Sequence, residues 1–256
     1  MSLGRVMTET TGLATALIQA HLNGTRIVPP VSNLSRSEIL TVQADVSAAL
    51  GPVAGFKVGR VPGAPPILAP IPARYCVANG GTRAVSDRLG VELELGFELI
   101  ETLPSDALPA RPEIYFRPCV VLELVDTRLS GSAAEVASLK FADLQINAGL
   151  VIGDQLNAWD GADFGALEAH LVTETETVLC GPATVPGGSA LSNLELLITH
   201  LGNHCGGLQV GQTLITGSIC GLPYFSPGTR ISGGIKGLGS VCVTLGRAPD
   251  QASERV

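Results

Sequence analysis

The 256-residue sequence predicts an α+β chain, with an N-terminal helical segment, a β-rich body of mixed sheets and a few peripheral helices. Three observations carry that expectation. Apolar residues in the first fifty positions recur at helical spacing. After residue 52 they fall instead in short Val/Ile/Leu-rich runs, and Pro and Gly separate those runs throughout. The expected division is residues 1–52 for the helical segment and 53–256 for the body, forming one compact unit.

Each element has its own signal. "TGLATALIQAHLNG" (11–24) places Leu13, Leu17 and Ala20 on one stripe and ends at Gly24, a C-cap candidate. "SRSEILTVQADVSAALG" (35–51) has Ser35 three residues before Glu38, a capping-box pattern, and stops at Gly51. Strands are expected at "VAGFKVG", "VELELGFELI", "CVVLELVD", "GLVIG", "AHLVTETETVL", "QTLITG", "TRISGG" and "GSVCVTL". Helices interrupt them at "SAAEVASLKFADL" (132–144) and "SALSNLELLITHLGNHCGG" (189–207). Ser189 would cap the second, and Gly206 and Gly207 would end it. "VPGAPPILAPIPA" (61–73) is too Pro-rich for a central strand and reads as a loop or lid over one face.

Composition narrows the function. Charged residues make up 15% and aromatics 4%, so Leu, Val, Ile and Ala must fill the interior. The net charge is −7 and basic residues are scattered, which disfavours a nucleic-acid binder. No apolar run approaches the roughly 18 residues of a membrane span, and "MSLGRVMTET" lacks the apolar core of a secretion signal. A cytoplasmic protein is expected, with no membrane partner. The six cysteines (Cys76, Cys119, Cys180, Cys205, Cys220 and Cys242) form no CxxC pair and read as free core thiols. Few charges and a mean hydropathy of +0.35 favour a homo-oligomer.

Three features carry chemistry. In "VELELGFEL" (91–99), alternation sends Val91, Leu93, Leu95, Phe97 and Leu99 to one face and Glu92, Glu94 and Glu98 to the other. Glu92 and Glu94 could grip a cation from one side, although a solvated face has the same pattern. Glu123 lies in the apolar run "VVLELV", where a carboxylate needs an ion-pair partner such as Arg128, or a metal. Lys57 lies in "VAGFKVG" and must either snorkel or face an anion. Three carboxylates without a His or Cys ligand suit Mg²⁺ or Mn²⁺.

"GFKVG", "VELELGFEL", "VLELVDTRL", "GLVIG", "GGSALSNLELLITHL", "LITGSICGLPYFSPGTRI" and "GLGSVCVTL" follow one another in an order that resembles a known family. It is the 2-keto-4-pentenoate hydratase branch of the fumarylacetoacetate hydrolase superfamily, matched from about residue 13 to 245. The resemblance implies a β-rich roll with helices outside, an oligomer, and a divalent-metal enzyme acting on a small 2-oxo or 2-hydroxy-dienoic acid. It implies Glu92, Glu94 and Glu123 as metal ligands, Lys57 as the catalytic lysine, and Thr216 and Gly217 in the "TGS" turn as substrate contacts. Asp126 and Arg128 would support the site from behind. The implied reaction is hydration of a 2-hydroxy-2,4-dienoate to a 4-hydroxy-2-oxo acid. Alternatives on the same metal are 2-oxo-acid decarboxylation and acylpyruvate hydrolysis, and a non-catalytic 2-oxo-acid binder would keep the pocket alone.

Two departures bear on the chemistry. The family's acidic residue after the lysine has no counterpart in "PILAPIPARY", where Asp87 is the nearest Asp and sits in a different context. The family's "ADNAS" becomes "ADLQINA", which keeps Ala142 and Asp143. Other motifs carry less. "HLGNH" spaces His200 and His204 as a zinc pair but lacks the intervening Glu, "GGIKGLGS" lacks a nucleotide-fold context, and "GSICG" is not a nucleophile elbow.

Overall fold

Two helices open the chain, as the periodicity predicts: α1 (Leu3–Asn23) and α2 (Arg36–Leu50). The computed structural model describes residues 3–29 and 33–248, with the backbone alone over residues 3–9. The outer ends of both expected segments, 1–2 and 249–256, therefore lie outside the described residues. The capping box at Ser35 forms as read. The Ser35 hydroxyl accepts from the Glu38 N–H, and the Glu38 carboxylate accepts from the Ser35 N–H at 2.7 Å. Gly51, at φ 98°, ends α2.

The body follows as β1 (Val53–Gly59), β2 (Ile67–Pro72), β3 (Val77–Ala78), β4 (Thr82–Val85), β5 (Leu89–Leu99) and β6 (Phe116–Val125). Next come α3 (Ala137–Ala142), β7 (Asn147–Gln155), β8 (Ala166–Thr173), β9 (Thr177–Thr184) and α4 (Ala190–Leu201). The chain finishes with β10 (Thr213–Ser218), β11 (Tyr224–Phe225), β12 (Arg230–Ile235) and β13 (Gly239–Arg247). The strands make two mixed sheets. The larger runs β2-β1-β10-β5-β6-β7-β3 with β11 added to β5, and the smaller runs β4-β13-β12-β8-β9. Among the described residues no helix is long and apolar enough to cross a membrane.

The main core lies between the sheets. Val91, Leu93, Leu95, Phe97 and Leu99 of β5 are at most 1% exposed, joined by Leu122 and Leu124 of β6 and by Ile231 and Val241 opposite. Gly233 lets the sheets meet, since a Cβ there would lie 2.9 Å from Leu93. Leu13, Leu17, Val42 and Val46 form a second cluster with Leu139 and Phe141 of α3, which seats the N-terminal helices on the body. A third cluster, Ile71, Cys119, Val121, Leu150 and Ile215, covers the other face of the large sheet.

Close approach also governs β1 and β10, the parallel pair that later positions Lys57. A Cβ on Gly55 would stand 1.8 Å from the Thr213 carbonyl oxygen. Gly55→Ala is expected to cost about 3 kcal/mol in urea unfolding, because the strands must separate to admit the methyl group.

Several sequence expectations change. The Pro-rich stretch is not all loop, because residues 67–72 form β2 at the edge of the large sheet, where proline is tolerated. The helix at 132–144 is only α3, preceded by a 3-10 turn at Gly131–Glu135. α4 stops at Leu201 with Gly202, and Gly206 and Gly207 close a separate short turn. Cys119 is buried, but Cys180 is exposed on β9, the outer strand of the small sheet, and is no core thiol. Glu98, on the acidic face of β5, is only partly exposed: its Oε2 accepts from Gln155 at 2.8 Å, with Arg117 at 3.6 Å.

Candidate metal centre

One antiparallel hairpin brings the three carboxylates together. Register places Glu92 of β5 directly opposite Glu123 of β6, with Glu94 two residues along on the same face. One ligand atom from each lies within 4.8 Å of the others. Glu123 is fully buried, Glu94 is 2% exposed and Glu92 is half-buried. Like charges opposite one another in a sheet repel, and burial strengthens the effect. Burial and then the Glu123 charge raise the Glu92 pKa to about 7, and the same causes push Glu94 well above the carboxylate range.

Lys57 answers part of that charge. From β1 it reaches past β10 and β5, and its Nζ donates to Glu123 Oε1 with the side chain only 12% exposed. Burial alone would pull its pKa down, but Glu123, Glu94 and Glu92 outweigh that and hold it above the ordinary lysine value. Lys57 is therefore an ammonium, and the cluster would carry two formal negative charges once Glu92 and Glu94 give up the protons that burial and Glu123 favour.

The oxygens are unequally satisfied. Glu123 Oε1 also accepts from Asn147 Nδ2 at 2.8 Å, whereas the buried Oε2 has no hydrogen-bond partner among the described residues. Glu94 Oε2 accepts from the Gly217 N–H at 2.7 Å. A buried, unpartnered carboxylate oxygen is costly. An all-oxygen cluster that reaches two net negative charges when its glutamates ionise matches what a hard divalent cation requires.

The "TGS" turn sits beside Glu94 for a geometric reason. The β10–β5 register slips between Ile215 and Ser218, and Gly217, at φ 104°, turns its N–H toward that carboxylate. Thr216 is 1% exposed, and its hydroxyl donates to the Leu95 carbonyl at 2.9 Å. Asn193 of α4 holds the Thr216 carbonyl at 2.9 Å. Ser189 caps α4 as expected, accepting from the Ser192 N–H.

Asp126 and Arg128 leave the end of β6 in other directions. Asp126 pairs with Arg26 at 3.0 Å, and Arg128 Nε binds the buried Asp143 at 2.8 Å. His200 bonds its own helix at the Leu196 carbonyl and His204 bonds Gln43, so the two do not converge on one point.

Asn147 was missed in the sequence. It is delivered to Glu123 by three successive left-handed residues, Leu144 (φ 50°), Gln145 (φ 49°) and Ile146 (φ 55°). Left-handed L-residues cost roughly 1–2 kcal/mol each, so this turn holds stored strain next to the carboxylates. A polar residue at the head of "NAGLVIG" was its only sequence signal.

No family model and no curated protein matches the chain. Solved structures do. 4-Oxalocrotonate decarboxylase from Pseudomonas putida G7, complexed with calcium and acetate, matches at 19% identity and TM-score 0.74, over 96% of this chain and 98% of that one. The fold is the fumarylacetoacetate hydrolase-like roll of mixed sheets that the sequence predicts. Two further structures share this fold over less of the chain. Fumarylpyruvate hydrolase from Pseudomonas aeruginosa, in complex with Mn²⁺ and pyruvate, matches at 17% identity and TM-score 0.55, covering 75% of this chain and 89% of that one. 2-Hydroxyhepta-2,4-diene-1,7-dioate isomerase from Mycobacterium marinum matches at 14% and 0.53, covering 77% and 76%.

Proposed function

We propose that Glu92, Glu94 and Glu123 hold one Mg²⁺ or Mn²⁺ and that the protein is a lyase for 2-oxo acids and their 2-hydroxy-2,4-dienoate tautomers. The observation that carries this is the buried three-carboxylate cluster with a free Glu123 oxygen, facing a single lysine. A bound divalent cation would supply Lewis acidity to the carboxylate and 2-oxygen of such an acid. Lys57, kept protonated by its neighbours, donates to the oxygen where negative charge develops, and its Nζ proton is the one placed to move. The Gly217 N–H fixes Glu94, and Asn147 fixes Glu123. Thr216 is the proposed contact for the substrate carboxylate. Asp126 and Arg128, bound to Arg26 and Asp143, fix the turn after β6 and do not touch the glutamates.

Within that class we assign hydration of a 2-hydroxy-2,4-dienoate first. Decarboxylation is the second reading, favoured by the overlay on 4-oxalocrotonate decarboxylase through the N-terminal helices and by the lack of an acidic residue in "PILAPIPARY". Incubation with Mg²⁺ and each substrate, followed by mass spectrometry, separates them: gain of water marks a hydratase and loss of carbon dioxide a decarboxylase. A Mg²⁺-loaded protein that turns over neither substrate would sink the lyase reading and leave acylpyruvate hydrolysis or a 2-oxo-acid binder.

The cluster also makes stability depend on pH. Glu92 titrates near 7 in the folded chain against an ordinary value of 4.5, so the folded state keeps a proton that the unfolded chain has lost. The metal-free protein should therefore be most stable below about pH 4.5 with respect to this group, and lose that contribution as pH rises to about 7. Added Mg²⁺ should restore the melting temperature at the upper end. A scanning-fluorimetry series with and without EDTA checks both halves.

We place the protein in the cytoplasm, where its unpaired thiols persist, as a homo-oligomer. Exposed Leu22, Val28, Val210 and Tyr224 give a subunit contact apolar surface to cover. Size-exclusion chromatography should give a species above 26.3 kDa.

A further inference from the structure

Behind the Asp126–Arg128 turn lies a cavity of about 110 Å³ that none of the three glutamates nor Lys57 lines. It is lined by the end of α1, by Tyr75 and by three arginines, Arg26, Arg83 and Arg128. Three guanidinium groups around so small a space stand out in a chain of net charge −7.

Their partners leave a surplus of positive charge. Arg26 is bound to Asp126, the one acidic residue in the lining, and Arg128 is bound to Asp143 behind the wall. Arg83 is different. Its guanidinium lies 5.4 Å over the Tyr75 ring, and among the described residues it has no carboxylate partner. Burial pulls its pKa below the ordinary arginine value, yet a guanidinium does not give up its proton in a protein. Arg83 is thus a half-buried cation that faces the cavity, feels the Asp126 charge that Arg26 already pairs, and has no direct ion pair of its own among the described residues. The carbonyl end of α1 offsets part of this field. His21 adds no charge, since burial and Arg128 lower its pKa.

We propose that this cavity is a binding site for one small oxyanion, a phosphate or carboxylate group, held by Arg83 with Arg26 and Arg128. The planar forks of these side chains match such groups, and the Tyr75 face keeps the Arg83 fork in place. The cavity has room for a single tetrahedral or planar anion and not for a nucleotide. Nothing in this assignment depends on the metal centre.

The test uses the full-length protein in EDTA, so that no metal at the glutamates can recruit the anion. Inorganic phosphate and acetate are titrated by calorimetry, and melting temperature is followed alongside. Wild type should bind one phosphate with a Kd of about 1 mM or tighter, and Arg83→Gln should bind it at least about 10-fold more weakly. In anion-free buffer Arg83→Gln should melt no lower than wild type, a result that a purely structural arginine would not give. Arg26→Gln, on the half-exposed rim, should also weaken binding and serves if Arg83→Gln fails to fold. Arg111→Gln, exposed and remote from the lining, should change nothing. Tighter binding of phosphate than acetate marks a phosphate-bearing ligand, and the reverse marks a carboxylate. Binding of neither, or equal binding by wild type, Arg83→Gln and Arg26→Gln, would overturn the proposal. Glu92→Gln should bind phosphate as wild type does, so failure of the metal reading and failure of this one are told apart.

Discussion

Glu123→Gln should abolish Mg²⁺ binding and lower turnover of a 2-hydroxydienoate by on the order of 10³-fold, while the metal-free protein melts close to wild type. Loss of Lewis-acid stabilisation worth several kcal/mol sets the first magnitude. The second follows from what surrounds residue 123. A glutamine oxygen can still accept from Asn147 at the 2.8 Å position, and Glu92 and Glu94 lose the like charge that raised both their pKa values. Lys57 loses its nearest partner but keeps two other carboxylates in its field. Calorimetric titration with Mg²⁺ and a melting curve in EDTA read the two effects separately. Unchanged Mg²⁺ affinity would remove Glu123 from the ligand set.

Lys57→Met should behave in the opposite way. It leaves the glutamates in place, so Mg²⁺ should bind at least as tightly as in wild type, yet turnover should fall by roughly 10²- to 10⁴-fold, the range for a lost proton-transfer group. The metal-free form should lose about 3 kcal/mol or more, because breaking a buried ion pair strands its partner, here Glu123 at 0% exposure. Mg²⁺ should recover most of that loss by supplying the missing positive charge. Turnover equal to wild type would reduce Lys57 to an electrostatic prop for the apo site.

These variants share a cluster whose residues were readable singly and whose geometry was not. Alternation in "VELELGFEL" assigns the apolar face of β5 correctly, and Glu123 announces itself because a carboxylate in "VVLELV" conflicts with its surroundings. That Glu92 stands opposite Glu123 is a matter of register, which depends on the hairpin as a whole. The capping box at Ser35 and the cap at Ser189 are local and were legible. β3, β4 and β11, of two to four residues, are too short to carry a period. Asn147 escaped for another reason: its approach depends on left-handed backbone at Leu144, Gln145 and Ile146, none of which is a residue that favours it. The partners of Glu98, Gln155 and Arg117, lie on other strands, so alternation alone does not reveal them.

The prolines of β2 have a bearing on solubility. With so few charges, the chain has little repulsion to keep sheet edges from joining those of other molecules. One edge of the large sheet is β2, where Pro70 and Pro72 pair with β1 at alternate positions. Proline is accommodated where its nitrogen points away from the neighbouring strand, so both missing N–H groups are removed from the outward rim. The opposite edge, β3, is only two residues long. Neither border offers an incoming strand a continuous ladder of donors, which protects an apolar β-sheet from growing into an aggregate.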